Sequence, residues 1–257
     1  MKKHLSVFGL FVRASLVPMI ILFLLTAAVQ AGMFFFELLP YFDAIHPDDG
    51  GYIPGLETIF SRTFIPHTAL AALILLTALL CVQGSAFSSR CGYTMSRLSV
   101  TEESSFLWQA GYNSLAFLLF WAIEGVLMFT LCAVYAANII NATGQTALLA
   151  AYRDEFLHSI LPLHDVSRIV RNAVFCITLG TMTAYYTYTQ RSGKASVVLV
   201  PAVVYAVGAF RMGDISLSGD IVHIIICLFF TAAVIVKVLT GFNFLYDQGE
   251  EENAWKS

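Results

Sequence analysis

One carboxylate lies deep inside a long apolar run of this sequence, at Glu124 in the segment Phe120–Gly125. Placing an ionised side chain at the centre of a membrane helix costs on the order of 2.5–3.5 kcal/mol by insertion scales, and such groups usually face a bundle interior or a water-filled cavity. Glu124 is therefore a candidate for lining a substrate path, where it would bind a cationic substrate. The alternative is a structural glutamate that is protonated or hydrogen-bonded between helices.

Two histidines indicate a second kind of chemistry. His67 and His223 each stand at what would be the outer end of a membrane helix, so they would share a level in the membrane. Histidine is a common axial ligand of haem iron, and a haem-binding anchor needs two histidines at matched depth. No His-x-x-x-His pair supports this interpretation, and solvated or hydrogen-bonded histidines are the alternative. A membrane-anchor subunit of a redox complex, binding haem or quinone, is therefore the rival hypothesis.

Several familiar kinds of site are absent from the sequence. It contains no Gly-x-Ser-x-Gly or His-Glu-x-x-His motif and no Gly-x-x-x-x-Gly-Lys-Ser/Thr phosphate loop. The five cysteines form no Cys-x-x-Cys pair, so neither a disulfide framework nor a zinc site is indicated. A net charge of −3 and a pI near 6.0 offer no basic surface for nucleic acid. We expect a non-catalytic chain without a resident cofactor or metal.

The most informative polar segment is residues 88–99, between the second and third apolar runs. It is too polar to enter lipid, and it carries two arginines among apolar side chains. Ser99 followed three residues later by Glu102 fits a capping box, which predicts that a helix begins near Val100, outside the membrane. One interpretation is a rigid cytoplasmic knob. The other is an ordinary positively charged loop that sets the topology and does nothing more.

A short run inside this segment carries a family resemblance. Its pattern, Tyr-Thr-x-x-Arg-Leu, resembles the run found between the second and third of six helices in permease subunits of ABC transporters of the type-2 export class. In that family this loop holds the coupling helix, which docks into a cleft of the ATP-hydrolysing subunit. The residues that the resemblance assigns to ATPase coupling are Tyr93, Thr94, Met95, Arg97 and Leu98.

The resemblance also implies a mechanism and a set of partners. Two permeases line a path between them, and two ATPases that close on ATP drive alternating access. This chain would be the non-catalytic permease of an exporter, with ATP and Mg held by the ATPase and with an identical or paralogous second permease. Arg97 would pair with an acidic group of the ATPase, with Tyr93, Met95 and Leu98 as buried contacts.

The elements that must position these residues are membrane helices. Hydrophobic residues make up 58% of the 257 residues and charged residues only 12%, with a mean hydropathy of +0.75. A soluble domain carries roughly 25% charged residues. We therefore predict an all-α integral membrane protein, a six-helix transmembrane bundle forming one domain over residues 1–257 with a cytoplasmic coupling segment between helices 2 and 3. The predicted spans are 15–36, 64–87, 105–139, 169–189, 195–210 and 221–244.

The distribution of charge predicts the orientation. Lysines and arginines are more numerous in the loops on the side of the N-terminus, which places both termini in the cytoplasm and the protein in the cell membrane. The outer loop 37–63 contains three prolines and a Gly-Gly pair, which predicts irregular chain. In the outer loop 140–168, apolar residues recur at helical spacing over 146–161, which predicts a short helix lying on the outer surface.

Overall fold

The described parts of the chain are helical. The computed structural model describes residues 2–42, 55–84, 101–138, 149, 153–163, 165–191, 196–211 and 217–240. Within these ranges no strand occurs, in agreement with the predicted all-α class. The helices of these ranges are α1 (Lys2–Phe42), α2 (Leu56–Arg62), α3 (Ile65–Gly84), α4 (Glu102–Asn138), α5 (Glu155–Ile160), α6 (Val166–Arg191), α7 (Leu199–Arg211) and α8 (Leu217–Thr240).

Four of these helices are long and apolar enough to cross a membrane. Their outward faces carry large apolar side chains, among them Leu24, Val126 and Phe229, which are 66%, 67% and 70% exposed. A water-soluble protein rarely exposes an apolar surface of this extent, so the surface suits lipid, as expected of a membrane protein. The four segments are Phe8–Pro40 of α1, Ile65–Val82 of α3, Glu102–Ala137 of α4 and Leu217–Thr240 of α8.

The predicted spans 169–189 and 195–210 correspond to α6 and α7, which do not reach the same combination of length and apolarity. Helix α7 has 13 residues, which is about 20 Å at a rise of 1.5 Å per residue, against about 30 Å of hydrocarbon. Helix α6 is long enough, but many of its polar side chains are buried among neighbouring helices. The number of six crossings therefore stays a prediction.

The bundle has two ends, which we name by the helices that begin there. At the basal end α1 and α4 begin and α6 ends. There the Phe8 ring of α1 packs edge-on against Tyr112 of α4 with 5.6 Å between ring centroids, and Arg191 of α6 lies 3.7 Å from Glu102 of α4. At the distal end α6 and α8 begin and α1 ends, with α2 and α5 packed beside them. Helix α4 therefore runs antiparallel to α6.

Helix α6 lies at the centre of the bundle, in contact with α3, α4, α7 and α8. Its polar side chains are tied to its neighbours. Asn113 of α4 donates to the Thr183 hydroxyl at 2.9 Å, and Thr178 shares a hydrogen bond of 3.0 Å with Thr231 of α8. Polar groups are costly in hydrocarbon unless they are paired within the protein. The polar helix therefore takes the interior position, and the more apolar helices surround it.

Helices α4 and α6 approach each other closely at Gly180. A Cβ atom at this position would collide with the backbone and the side chain of Ser114. The Ser114 hydroxyl donates chiefly to the Ala110 carbonyl oxygen at 2.7 Å and shares its proton with the carbonyl oxygen of Ile177 at 3.3 Å, one turn before Gly180 on α6. Small residues at a crossing allow two helix backbones to come together, so the packing of α4 on α6 depends on the absence of a side chain here.

The two outer loops differ from the prediction in their helix content. Helix α1 continues past residue 36 to Phe42, and α2 forms inside the loop 37–63 that the prolines predicted to be irregular. In the described part of 146–161, helix α5 covers Glu155–Ile160. One face buries Leu157 and Ile160 in an apolar cluster with residues of α1 and α4, whereas Glu155 on the other face is exposed. The apolar face therefore packs on the bundle, because burial removes its side chains from water.

The start of α4 is close to the prediction. The helix begins at Glu102, and the hydroxyl of Thr101 accepts a hydrogen bond from the Ser104 N–H at 3.4 Å. Thr101 thus takes the capping position directly before Glu102. The helix begins two residues after the predicted start near Val100. The predicted cap, Ser99, lies outside the described residues.

Candidate functional site

The candidate site is built around Glu124, near the middle of α4. Its side chain is 4% exposed and faces Gln30 of α1, which is fully buried. The Gln30 Nε2 donates to Glu124 Oε1 at 3.3 Å, a long hydrogen bond. The structure therefore places the predicted carboxylate in the bundle interior and provides one polar partner, which lies 94 residues away along the chain.

This pair leaves two buried oxygen atoms without a hydrogen-bond partner in the described part of the chain, Glu124 Oε2 and Gln30 Oε1. Leaving a buried polar atom unsatisfied costs about 1–3 kcal/mol, and native structures avoid it almost everywhere. Both atoms are acceptors when the glutamate is ionised. The site is therefore suited to a hydrogen-bond donor that the described residues do not supply.

A small cavity adjoins Glu124. Its volume is about 40 Å³, enough for a water molecule or a small group such as an ammonium. On one side the Trp121 indole N–H donates to the carbonyl oxygen of Ile160 in α5 at 3.0 Å, which ties α5 to α4. The residues that line this inner cavity are Ala69, Leu70, Leu73, Phe117, Phe120, Trp121, Glu124, Phe156, Ile160, Cys176 and Leu179.

A larger pocket opens at the distal end, with a volume of about 520 Å³. Its wall contains the ion pair between Arg153 and Glu57, whose atoms are 3.2 Å apart. Asp154 caps α5 by accepting from the Leu157 N–H at 2.9 Å, and burial raises the pKa of its carboxyl. The residues that line this outer pocket are Glu57, Thr58, Ser61, Pro66, His67, Leu70, Arg153, Asp154, Glu155 and Phe156.

A second polar cluster, at the distal end, is not among the sequence predictions. Arg171 of α6 is 1% exposed and pairs at 2.9 Å with Asp220 of α8, which is 2% exposed. The same guanidinium donates to Ser159 at 3.4 Å and to Asn172 at 3.2 Å, and Arg168 lies 3.9 Å from the second oxygen of Asp220. Removing one partner of a buried ion pair costs about 3–5 kcal/mol. This cluster joins α5, α6 and α8.

The sequence does contain a signal for this cluster. Arg168 and Arg171 are three residues apart and therefore share a face of one helix. Asp220 directly precedes the last apolar run. Counting the arginines as loop charges predicts only the orientation in the membrane. Such a count does not show that the arginines and Asp220 have opposite charges at helix ends that meet.

The two histidines of the rival hypothesis lie in separate surroundings. His67 of α3 is exposed in the wall of the outer pocket, where its ring packs edge-on against Phe64. His223 of α8 is hydrogen-bonded through Nδ1 to the Tyr205 hydroxyl of α7, and its ring packs near Phe175. The described contacts of the two histidines have no residue in common, so they give no support to a shared haem.

The predicted ATPase-coupling residues Tyr93, Thr94, Met95, Arg97 and Leu98 lie outside the described residues. The helices on either side of them are described, since α3 ends at Gly84 and α4 begins at Glu102. Both of these helix ends are at the basal end of the bundle, where α3 packs beside the start of α1.

No group of three histidine, cysteine or acidic side chains placed to hold a metal ion occurs in the described ranges. The cysteines of these ranges, Cys81, Cys132, Cys176 and Cys227, are free and buried. Comparison of the chain with protein-family models, with curated proteins and with solved structures found no match.

Proposed function

We propose that this chain is the transmembrane permease subunit of an ATP-driven ABC exporter. It forms a substrate path with a second permease and couples to separate ATPase subunits, which hold ATP and Mg. The chain itself is non-catalytic. The assignment of the class rests on the resemblance of the segment Tyr93–Leu98 to the coupling loop of such permeases. The path is assigned to the interior around Glu124.

The observation that carries the proposal is the course of α4. This uninterrupted helix begins at Glu102, directly after the proposed coupling segment, and passes Glu124 twenty-two positions later. At a rise of 1.5 Å per residue this distance is about 33 Å. One continuous helix therefore runs from the end of the proposed coupling segment to the buried carboxylate, as a coupled transporter would require.

Contacts at the basal end support the transmission of force. The rings of Phe8 and Phe11 in α1 pack against Tyr112 of α4, and the hydroxyl of Ser15 is hydrogen-bonded to that of Tyr112. At the start of α4, Glu102 pairs with Arg191 of α6 at 3.7 Å. A displacement of α4 at this end would therefore move α1 and α6 with it.

The finer topology belongs to the same proposal. The chain crosses the cell membrane six times with both termini in the cytoplasm, so that the basal end is cytoplasmic and the distal end is outside. The alternating directions of the helices support this arrangement, because α1 and α4 begin at the basal end whereas α6 and α8 begin at the distal end.

Mild detergent extraction of the full chain from its native membrane, followed by mass spectrometry, tests the proposal. We expect a stoichiometric partner with a Gly-x-x-x-x-Gly-Lys-Ser/Thr phosphate loop. Arg97→Glu should reduce its recovery at least about tenfold, because reversing a buried interfacial charge costs several kcal/mol. Arg13→Glu is the matched control, since Arg13 is exposed near the basal end and lies outside the coupling segment.

Two outcomes would contradict the proposal. Recovery of the chain alone would show that it has no stable ATPase partner, which contradicts an ATP-driven exporter. Recovery with redox subunits and a haem absorbance that His223→Ala abolishes would favour the membrane-anchor hypothesis instead.

A further inference from the structure

The inner cavity and the outer pocket have two lining residues in common. Leu70 of α3 and Phe156 of α5 line both spaces. Both side chains are only partly buried, and we call these two residues the partition because they lie where the two spaces adjoin. Glu124 lines the inner cavity and does not line the outer pocket.

We propose that the two spaces form one route by which a cationic amine reaches Glu124 from the distal end, closed in this structure by Leu70 and Phe156. The proposal rests on the proposed function in that it takes Glu124 as part of the substrate path, and it adds the class of substrate and the way in.

The unpaired acceptors at Glu124 select the ligand. Glu124 lines the inner cavity, and Gln30 of α1 contacts Glu124 from outside its lining. Glu124 Oε2 and Gln30 Oε1 are buried and have no hydrogen-bond partner in the described part of the chain. A protonated amine supplies up to three N–H donors and the compensating positive charge. The cavity volume of about 40 Å³ admits the ammonium group and leaves the rest of the ligand outside the partition.

The aromatic wall of the inner cavity favours the same ligand. The rings of Phe117, Phe120 and Trp121 line it beside Glu124. A cation over an aromatic face is attracted by the negative charge of that face, most strongly when the cation is desolvated. An anion would meet the negative faces of these rings and a carboxylate, so the cavity discriminates by the sign of the charge.

The outer pocket has a charge that suits a cation as well. Glu57, Asp154 and Glu155 line it together with the single arginine Arg153. A wall with an excess of carboxylates raises the local concentration of cations by about tenfold or more at low ionic strength. A cationic amine would therefore collect in the outer pocket before it passes Phe156.

The partition belongs to a short element that is held at its two ends. Helix α5 is capped by Asp154 at its start, and the carbonyl oxygen of its last residue, Ile160, accepts from Trp121. Phe156 lies between these two attachments. Its side chain can therefore change rotamer while the ends of α5 keep their places, and truncating it should open the route without releasing the helix.

A native thiol reports on the opening. Cys176 of α6 lines the inner cavity, whereas Cys227 of α8 is buried to a similar extent beside a different cavity. The full chain in lipid nanodiscs is treated with a cationic aminoethyl methanethiosulfonate, whose ammonium group has three N–H donors, or with an anionic sulfonatoethyl methanethiosulfonate. Modification of each cysteine is then quantified by peptide mass spectrometry.

In Phe156→Ala we expect the cationic reagent to modify Cys176 about tenfold faster than in the wild type, with Cys227 unchanged, because only the local protection is removed. Leu70→Ala should act in the same direction. Phe64→Ala is the matched control, because Phe64 is exposed at the same end of α3 and lines neither space. Adding Glu124→Gln to Phe156→Ala should abolish the preference for the cationic over the anionic reagent.

The proposal is overturned if neither Phe156→Ala nor Leu70→Ala accelerates the modification of Cys176, or if Cys227 accelerates equally in both variants. Equal rates for the two reagents with Glu124 intact would overturn the cationic class of ligand. The labelling needs no ATPase, so its failure is distinct from failure to recover that partner. If the labelling shows the route but no ATPase co-purifies, the exporter assignment is wrong and the cation site at Glu124 remains supported.

Discussion

At the scale of single residues, the contact between Glu124 and Gln30 motivates the proposal that this glutamate is functional and not structural. A structural glutamate would have both oxygens satisfied by the helices around it, since buried polar groups are almost always paired. Glu124 has one long hydrogen bond of 3.3 Å and a second oxygen without a partner in the described ranges. Such a residue costs stability, and residues of this kind are retained where function needs them.

We therefore predict that Glu124→Gln stabilises the fold. The amide has nearly the same shape, keeps a contact with Gln30 and removes a charge from the membrane interior, so the free energy of unfolding should rise by about 1–3 kcal/mol. Thermal unfolding of the purified chain in detergent measures this change. Glu103→Gln, on a partly exposed position in the first turn of α4, should change stability by less than about 0.5 kcal/mol.

The opposite sign at Glu124 would be equally informative. A loss of stability in Glu124→Gln, with Glu103→Gln neutral, would mean that the carboxylate holds α4 to α1. The structural interpretation of Glu124 would then replace the substrate path.

At the scale of the elements, the bundle depends on how closely α6 fits against α4. The polar contacts of α6 with α4 and α8 require short distances, and Gly180 provides the close approach. The backbone of Ser114 cannot move away without breaking the hydrogen bond from its hydroxyl to Ile177. The crossing therefore has little tolerance for added volume.

We predict that Gly180→Ala destabilises the protein by about 1–3 kcal/mol, the usual cost of overpacking. The matched control is Gly111→Ala on α4, where a Cβ meets nothing within 4 Å. That substitution should be neutral or stabilise by up to about 1 kcal/mol, because alanine favours helix over glycine. Thermal unfolding in detergent compares the two variants. Equal melting temperatures would show that α4 and α6 are not in close contact.

The elements that the sequence predicts well are those whose signal is local. The apolar runs of α1, α3, α4 and α8 are continuous, so hydropathy alone finds them. Helix α7 begins at Leu199, later than the predicted 195, which places Pro201 in its first turn, where proline is tolerated. Helix α6 was located by sequence, but its central place could not be, because polar residues in a span do not say which neighbours satisfy them.

The candidate site shows the same division. A lone carboxylate in an apolar run predicts burial, and Glu124 is buried. Its partner Gln30 is 94 positions away, and one sequence carries no information on such a pairing. The ion pair of Arg171 and Asp220 could not be predicted for a related reason. Each residue lies at the edge of an apolar run, where a charged side chain at the membrane interface is expected, and only the fold shows that the two helix ends meet.

At the scale of the whole molecule, one segment of the chain distinguishes a topology with four membrane crossings from one with six. Both arrangements put the C-terminus on the side of the N-terminus, because both numbers are even. They differ for residues 192–195, which follow α6. These residues are cytoplasmic if α6 crosses, and they lie outside if only the four most apolar helices cross.

We predict that Ser192→Cys reacts with a membrane-impermeant maleimide only after intact cells are permeabilised. The background is Cys91→Ser, in which the remaining cysteines are buried. Asp49→Cys in the predicted outer loop should react without permeabilisation, and Ser89→Cys in the predicted cytoplasmic loop only after it. These two positions calibrate the assay because both arrangements place them alike.

A reaction of Ser192→Cys in intact cells would leave α6 and α7 on the outer side. The polar side chains of α6 would then face no lipid. The burial of Arg171 and Asp220 would not be required to shield their charges from hydrocarbon. Protection of Ser192→Cys in intact cells instead makes α6 a polar helix that crosses lipid only because α3, α4, α7 and α8 enclose it. In that case α4 and α6 both reach the cytoplasmic side, where Glu102 and Arg191 link them and where the proposed ATPase would dock.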